Sequence, residues 1–259
     1  MALAEHQLEL HECRMRYRRG GTGQPLILLH GAGGADSLLG IAERLSNRFD
    51  VILPDHPGFG ESEEPAWLDT IHDAAYHYLD FITALELAQI HLVGASLGGW
   101  MALEMAVRDT GPLQTLTLIA AAGIRPGHIE CGDLFMWSPE EQVQKLVHDQ
   151  ALAARIMSME KTPEQEEQAI RNHFTTAKLA WEPRFFDPDL HKWLHRINVP
   201  TLLIWGHQDV LFPLAYGEKL AAQIPHAQLT VIEECGHLPH VEQPEQLLDL
   251  ISSFLGEAA

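Results

Sequence analysis

The stretch Ile90-His91-Leu92-Val93-Gly94-Ala95-Ser96-Leu97-Gly98-Gly99-Trp100-Met101-Ala102-Leu103 constrains this chain more than any other. An apolar run of strand length passes into Gly-x-Ser-x-Gly and then straight into apolar residues of a helix. So sharp a reversal holds its central residue in strained geometry. Gly94 and Gly98 fall where a Cβ would collide with the neighbouring strand or helix. The hydroxyl of Ser96 is thereby pushed out at the helix start, next to the free N–H of Leu97. A carbonyl can meet it from one side and a general base from the other. Ser96 is the candidate nucleophile, and the Leu97 N–H is one candidate donor to a developing oxyanion. The five-residue pattern alone would equally suit a glycine-rich loop; the strand before it and the helix after it decide between the two.

A turn of this kind sits at the end of a sheet strand, and the flanking sequence supplies such a sheet. Residues 8–10 and 13–17 alternate in character and predict an antiparallel hairpin at the sheet edge, ended by Gly20-Gly21-Thr22-Gly23. A continuous apolar run at 25–29 predicts a strand covered on both faces, and further strands are expected at 49–53, 113–119, 199–205 and 227–232. Stripes at steps of three and four predict helices over 38–45, 69–87 and 244–255. Strand alternating with helix implies right-handed crossovers. The expected fold class is α/β, a mostly parallel central sheet flanked by helices. The alternation breaks after Gly123, and residues 124–195 read as an inserted helical lid, with 1–123 and 196–259 forming the core. Within the lid, Ser138-Pro139-Glu140-Glu141 and Thr162-Pro163-Glu164-Gln165 predict helix starts, each a cap residue followed by proline. The lid's aromatic and methionine residues suit an acyl pocket as well as plain packing.

Three loops complete the candidate site. The strand at 25–29 empties into His30-Gly31-Ala32-Gly33-Gly34, small residues that let a backbone N–H approach a substrate oxygen. Ala32 is the expected second oxyanion donor, with Gly33 as the alternative. Asp209, on the loop Gly206-His207-Gln208-Asp209, lies past a strand's C-terminal end, where open α/β sheets place their sites. His237, after the last strand, is the expected general base, and the chain order Ser, Asp, His is the one this class of sheet uses. Glu233 and Glu234 share the histidine's short loop and would have to fold back to reach its ring, so Asp209 is the better acid. Asp55 and Ser62 are expected to hold loop hydrogen bonds.

Charge and composition remove several classes. With 36 acidic against 17 basic residues, a formal charge of −19 repels nucleic acid and anionic membranes. No run of about 18 apolar residues is present, and the N-terminus lacks a basic segment followed by an apolar one. A soluble cytoplasmic protein is expected. Cys13, Cys131 and Cys235 are widely spaced and suit reduced thiols. Of the sixteen histidines, His191 with His195 and His237 with His240 are spaced as ligand pairs, but neither has a convincing third ligand, so no metal and no cofactor are expected. His191 and His195 read as polar residues on a solvated helix face.

Taken together, Gly94-Ala95-Ser96-Leu97-Gly98-Gly99, His30-Gly31-Ala32-Gly33, Trp205-Gly206-His207-Gln208-Asp209 and Gly236-His237 resemble the α/β-hydrolase superfamily, over about residues 13–255. The tail from Cys235 to Glu245 looks like capped serine carboxylesterases and, less closely, the hydrolases that cleave carbon–carbon bonds of ring-fission products. The latter typically carry Asn before the nucleophile and Trp after the histidine, where this chain has Ala95 and Leu238. Relatives with an Asp nucleophile are disfavoured by Ser96. The resemblance therefore implies an esterase working through an acyl-enzyme, and the apolar residues of the lid, some of them expected to face the substrate, suit a small or medium neutral ester. Two alternatives remain, a carbon–carbon bond hydrolase and a ligand-binding receptor that kept the fold without turnover. The expected partner is a small-molecule ester; the sequence leaves oligomeric state open.

Overall fold

A computed structural model of the chain describes residues 2–257; positions 1, 258 and 259, assigned above to the core, lie outside the described residues. In chain order the elements are β1 (Ala4–Leu10), β2 (Cys13–Gly20), β3 (Pro25–Leu29), α1 (Leu39–Leu45), β4 (Asp50–Pro54) and α2 (Ile71–Ala84). They continue with β5 (Ile90–Ala95), α3 (Leu97–Arg108), β6 (Leu113–Ile119), α4 (Pro139–Leu146), α5 (Gln150–Met157) and α6 (Pro163–Ala180). The chain closes with β7 (Thr201–Gly206), α7 (Leu214–Ala221), β8 (Gln228–Ile232), α8 (Pro239–Glu242) and α9 (Pro244–Glu257).

The eight strands form one sheet in the order β1-β2-β4-β3-β5-β6-β7-β8. The β1–β2 and β2–β4 pairs are antiparallel, and every pair from β4 through β8 is parallel. Successive strand residues enter opposite cores, as a pleat requires. Ile27, Leu29, Leu92, Leu203 and Trp205 pack with α2, α3 and α7, whereas Leu26, Leu28, Val93, Leu202 and Ile204 pack with α1 and α9. Both faces are thus covered, which is why 25–29 reads as a continuous apolar run.

Register decides where the site lies. Leu29 pairs with Gly94, Ala95 with Ile119, Ile119 with Ile204, and Gly206 with Ile232. The C-terminal ends of five parallel strands therefore align, and the loops after them share one edge. Helices α4, α5 and α6 all lie between β6 and β7 in the chain. Ser138 and Thr162 each cap their helix through a reciprocal capping box with proline in the first turn. The helix predicted over 69–87 is shorter, because Thr70 accepts from the Asp73 N–H and fixes its start. Helix α5 falls within the stretch that reads as helical, without a predicted start of its own, and α7, too short for a clear stripe, is not predicted. His191 and His195 are exposed but sit on successive 3₁₀ turns, Leu190–Lys192 and Leu194–Arg196, not on an α-helix face.

Candidate active site

Ser96 joins β5 to α3 with φ 51° and ψ −112°, a strained position that its surroundings over-determine. Its N–H donates to the Ile119 carbonyl at 2.9 Å, and its own carbonyl accepts from the Ala122 N–H at 3.1 Å. A Cβ on Gly94 would lie 2.5 Å from the Gly98 carbonyl oxygen, and one on Gly98 would lie 2.4 Å from the carbonyl oxygens of Leu29 and His30. Only glycine permits strand, turn and helix to approach so closely.

The sheet edge brings the three predicted side chains together. His237 Nε2 lies 3.0 Å from Ser96 Oγ, and His237 Nδ1 lies 2.8 Å from Asp209 Oδ2. The side chains of His237 and Asp209 are 3% and 0% exposed. The other Asp209 oxygen, Oδ1, accepts from the backbone N–H groups of Leu211 at 2.8 Å and Phe212 at 3.0 Å. With one oxygen held by the backbone, the second is aimed at the ring, and the ring's Nδ1–H donates to it. Nε2 is then left to accept from the serine hydroxyl. The Phe212 ring packs edge-on to His237 with centroids 5.5 Å apart. Glu233 takes the exposed His207 instead, Nδ1 to Oε2 2.6 Å.

The loop after β3 is organised by a hydrogen-bonded chain that the sequence did not reveal. The His56 N–H donates to His30 Nε2 at 3.1 Å, so the His30 proton is on Nδ1, which donates to the Gly31 carbonyl at 2.6 Å. His56 in turn donates from Nε2 to the His30 carbonyl at 2.8 Å and accepts from the Tyr78 hydroxyl on Nδ1. Burial holds His30 down to about 4 and His56 well below its ordinary value, so both rings are neutral at pH 7. In a trans peptide the carbonyl and the following N–H point in opposite directions. Fixing the Gly31 carbonyl therefore fixes the N–H of Ala32. Neither Ala32 nor Leu97 donates its N–H to another hydrogen-bonding group among the described residues.

A cavity of about 340 Å³ opens over Ser96 and His237. Gly31, Ala32 and Gly33 line one side of it; Leu97 is buried at the first turn of α3 and is not part of the lining. Much of its far wall comes from residues 124–195, including Gln142, Leu146, Lys161, Asn172 and His173. Three aromatics of the same segment, Phe135, Trp137 and Phe174, line not this cavity but an adjoining groove. Two sets of contacts fasten this wall to the core. On α6, Asn172 Nδ2 donates to the Gly33 carbonyl at 3.3 Å and Thr175 Oγ1 to the Gly58 carbonyl at 2.8 Å. At the end of α4, the His237 N–H donates to the Leu146 carbonyl at 2.8 Å. Glu242 bridges the same junction, Oε1 accepting from the Gly236 N–H at 2.7 Å and Oε2 from the His148 N–H at 2.7 Å.

Other candidates fall to structural roles. Asp55 accepts from Arg16 Nε at 2.8 Å, and Ser62 Oγ donates to the Asp55 carbonyl at 2.9 Å, as expected of loop residues. Burial pushes the thiols of Cys13 and Cys131 up to about 11 and that of Cys235 to about 12, so none is a thiolate near neutrality. His72, Glu104 and Asp187 form a cluster of three possible metal ligands, but Glu104 is already engaged by Trp100 Nε1 at 3.1 Å and Arg108 Nη1 at 2.5 Å. Among the described residues no helix is long and apolar enough to cross a membrane.

A serine raised on a strand–turn–helix and faced by a carboxylate-backed histidine, at the C-terminal edge of a mostly parallel sheet, defines an α/β hydrolase. Residues 26–250 match the alpha/beta hydrolase family, and the chain belongs to it. It is 29% identical over 265 residues to a 2-hydroxymuconate semialdehyde hydrolase of Pseudomonas sp. (strain CF600), covering 95% of this chain and 91% of that one. A membrane phospholipase A, a bacterial virulence factor, superposes with a TM-score of 0.80 at 27% identity, over 99% of this chain and 87% of that one. A thermophilic esterase from Thermogutta terrifontis superposes with a TM-score of 0.75 at 25% identity, over 100% of this chain and 99% of that one.

Proposed function

We propose that the chain is a serine hydrolase that cleaves carboxylic esters through an acyl-enzyme. The observation that carries this reading is the continuous contact from Asp209 through His237 to Ser96, with hydrogen-bonding distances of 2.8 and 3.0 Å. Ser96 Oγ attacks the ester carbonyl carbon as its proton passes to His237 Nε2. The negative charge that develops on the carbonyl oxygen is held by the N–H groups of Ala32 and Leu97. His237 then gives its proton to the departing alkoxide, leaving the acyl group on Ser96. Water repeats the sequence with His237 again as base, releasing the acid and restoring the serine. Asp209 keeps the ring in the productive tautomer and stabilises the imidazolium. Residues 124–195 act as a lid that excludes water and forms the outer wall of the substrate cavity.

A second reading, carbon–carbon bond hydrolysis of a ring-fission dienoate, draws support from the Pseudomonas relative and from Lys161, a cation on the cavity wall that suits an anionic substrate. Ala95 and Leu238, in place of the Asn and Trp typical of those enzymes, favour the ester. Turnover of p-nitrophenyl acetate beside a 2-hydroxy-6-oxo-dienoate tests the choice. Ester hydrolysis with kcat/KM at least about tenfold above that for the dienoate is expected; the reverse order would overturn the assignment, and turnover of neither would point to a non-catalytic receptor.

A further inference from the structure

The Ser96 cavity has a larger neighbour across its wall. A second space of about 730 Å³ lies outside it, between α4, α5 and α6. Six residues, Gln142, Leu146, Lys161, Ala169, His173 and Leu238, line both, so the two spaces adjoin with only these side chains between them. Beyond that junction the groove is walled chiefly by apolar side chains, among them Val143 from α4, Ile156 from α5, and Ile170 and Phe174 from α6. Ile170 and Phe174 are one helical turn apart and remain 71% and 69% exposed. Apolar side chains left this open, in a groove that adjoins the cavity of a reactive serine, call for an occupant that reaches them from that serine.

We propose that this groove binds the long unbranched hydrocarbon chain of the ester substrate, a chain that enters from the Ser96 cavity and emerges between α4 and α6. The proposal rests on the hydrolase reading above and extends it beyond the small or medium ester that the sequence suggests. The chain's covalent link to the scissile ester makes it a ligand whose position is set by Ser96 and whose length extends away from that cavity into its neighbour. Each methylene laid along the groove adds apolar burial, equivalent to about twofold to fourfold in kcat/KM.

The test measures kcat/KM over p-nitrophenyl acetate, hexanoate and dodecanoate, and over ethyl and dodecyl acetate, each below its micelle concentration. A gain with length in either series is expected, and it tells whether the acyl or the alcohol half carries the chain; a gain in neither overturns the proposal. Ala169→Trp, at the junction, should lower the long-to-short ratio by about tenfold or more. An unchanged ratio in that variant would overturn the proposal. Binding of dansylaminoundecanoic acid to the Ser96→Ala protein gives a readout free of turnover: saturable binding weakened by Ala169→Trp is expected. Such binding with no ester turnover in the unaltered enzyme would overturn the hydrolase reading and leave the groove standing. Turnover with a flat length profile and no probe binding would do the opposite. Dimerisation that competes with the probe would show that a second copy covers the groove, and would overturn the proposal.

Discussion

Replacing Asp209 with Asn changes one atom, and the consequence can be worked from the donors around it. Three N–H groups face this carboxylate: Leu211 and Phe212 on Oδ1, and His237 Nδ1 on Oδ2. An amide has one acceptor oxygen, so Asn cannot serve both sides. If its oxygen stays on the two backbone donors, its NH₂ faces the ring and His237 must carry its proton on Nε2. The ring then offers Ser96 a donor where an acceptor is required. If the amide turns over, the tautomer is correct, but two buried backbone N–H groups lose their partner, at about 1–3 kcal/mol each. The productive arrangement is therefore about 2–6 kcal/mol less stable than the unproductive one, a fall in kcat of roughly 30-fold to 10⁴-fold. Because the cavity lining is untouched, KM should move little. Steady-state ester hydrolysis by Asp209→Asn, with thermal unfolding to verify folding, makes the comparison. A folded variant with kcat within about threefold of the parent would refute the reasoning and require another partner for Nδ1.

Two further outcomes follow from buried groups. Gly98→Ala should abolish soluble folded protein or activity, since its Cβ would lie 2.4 Å from two backbone oxygens that belong to β3 and the loop after it; an active, stable variant would contradict the close approach at the turn. Acid should destabilise the fold, because burial holds His30, His77 and His240 at about 4, against about 6.5 in the unfolded chain. Above pH about 6.5 these rings are neutral in both states. As pH falls from there towards about 4, only the unfolded chain takes up protons, and each ring removes about 1.4 kcal/mol of stability per pH unit. His72, raised chiefly by its hydrogen bond to Glu104, opposes this trend. The urea midpoint should drop steeply between pH 7 and 5, and an unchanged midpoint would contradict it.

What could be read in advance divides along physical lines. Ser96 is announced by its immediate neighbours, since Gly94 and Gly98 are needed wherever strand and helix meet at that angle. Asp209 and His237 are recoverable because each directly follows a strand, and parallel register alone brings such loops to one edge. Contacts set by tertiary docking left no local trace. His30 meets His56 across 26 residues and Glu242 meets His148 across 94. Nothing in Pro54-Asp55-His56-Pro57 signals a ring stacked on His30 at 3.6 Å between centroids. Residues 124–195 illustrate the same limit. Their helix starts were legible from Ser138 and Thr162, yet which faces of α4 and α6 look inward depends on where Leu146 and Asn172 anchor them. Phe135, Trp137 and Phe174, conspicuous in the sequence, line the outer groove and not the cavity, while Asn172, inconspicuous there, lines the cavity itself and Gln142 and Ala169 line both.

The central claim is that Ser96 is the residue that becomes acylated. A fluorophosphonate probe reacts with a serine only where a base takes the hydroxyl proton and an oxyanion site receives the phosphoryl oxygen. Peptide mass spectrometry after labelling should find one equivalent of adduct on Ser96, with none in the folded Ser96→Ala variant and loss of ester hydrolysis in step with labelling. Adduct on any other serine, or full ester turnover by protein whose Ser96 is completely modified, would contradict the account.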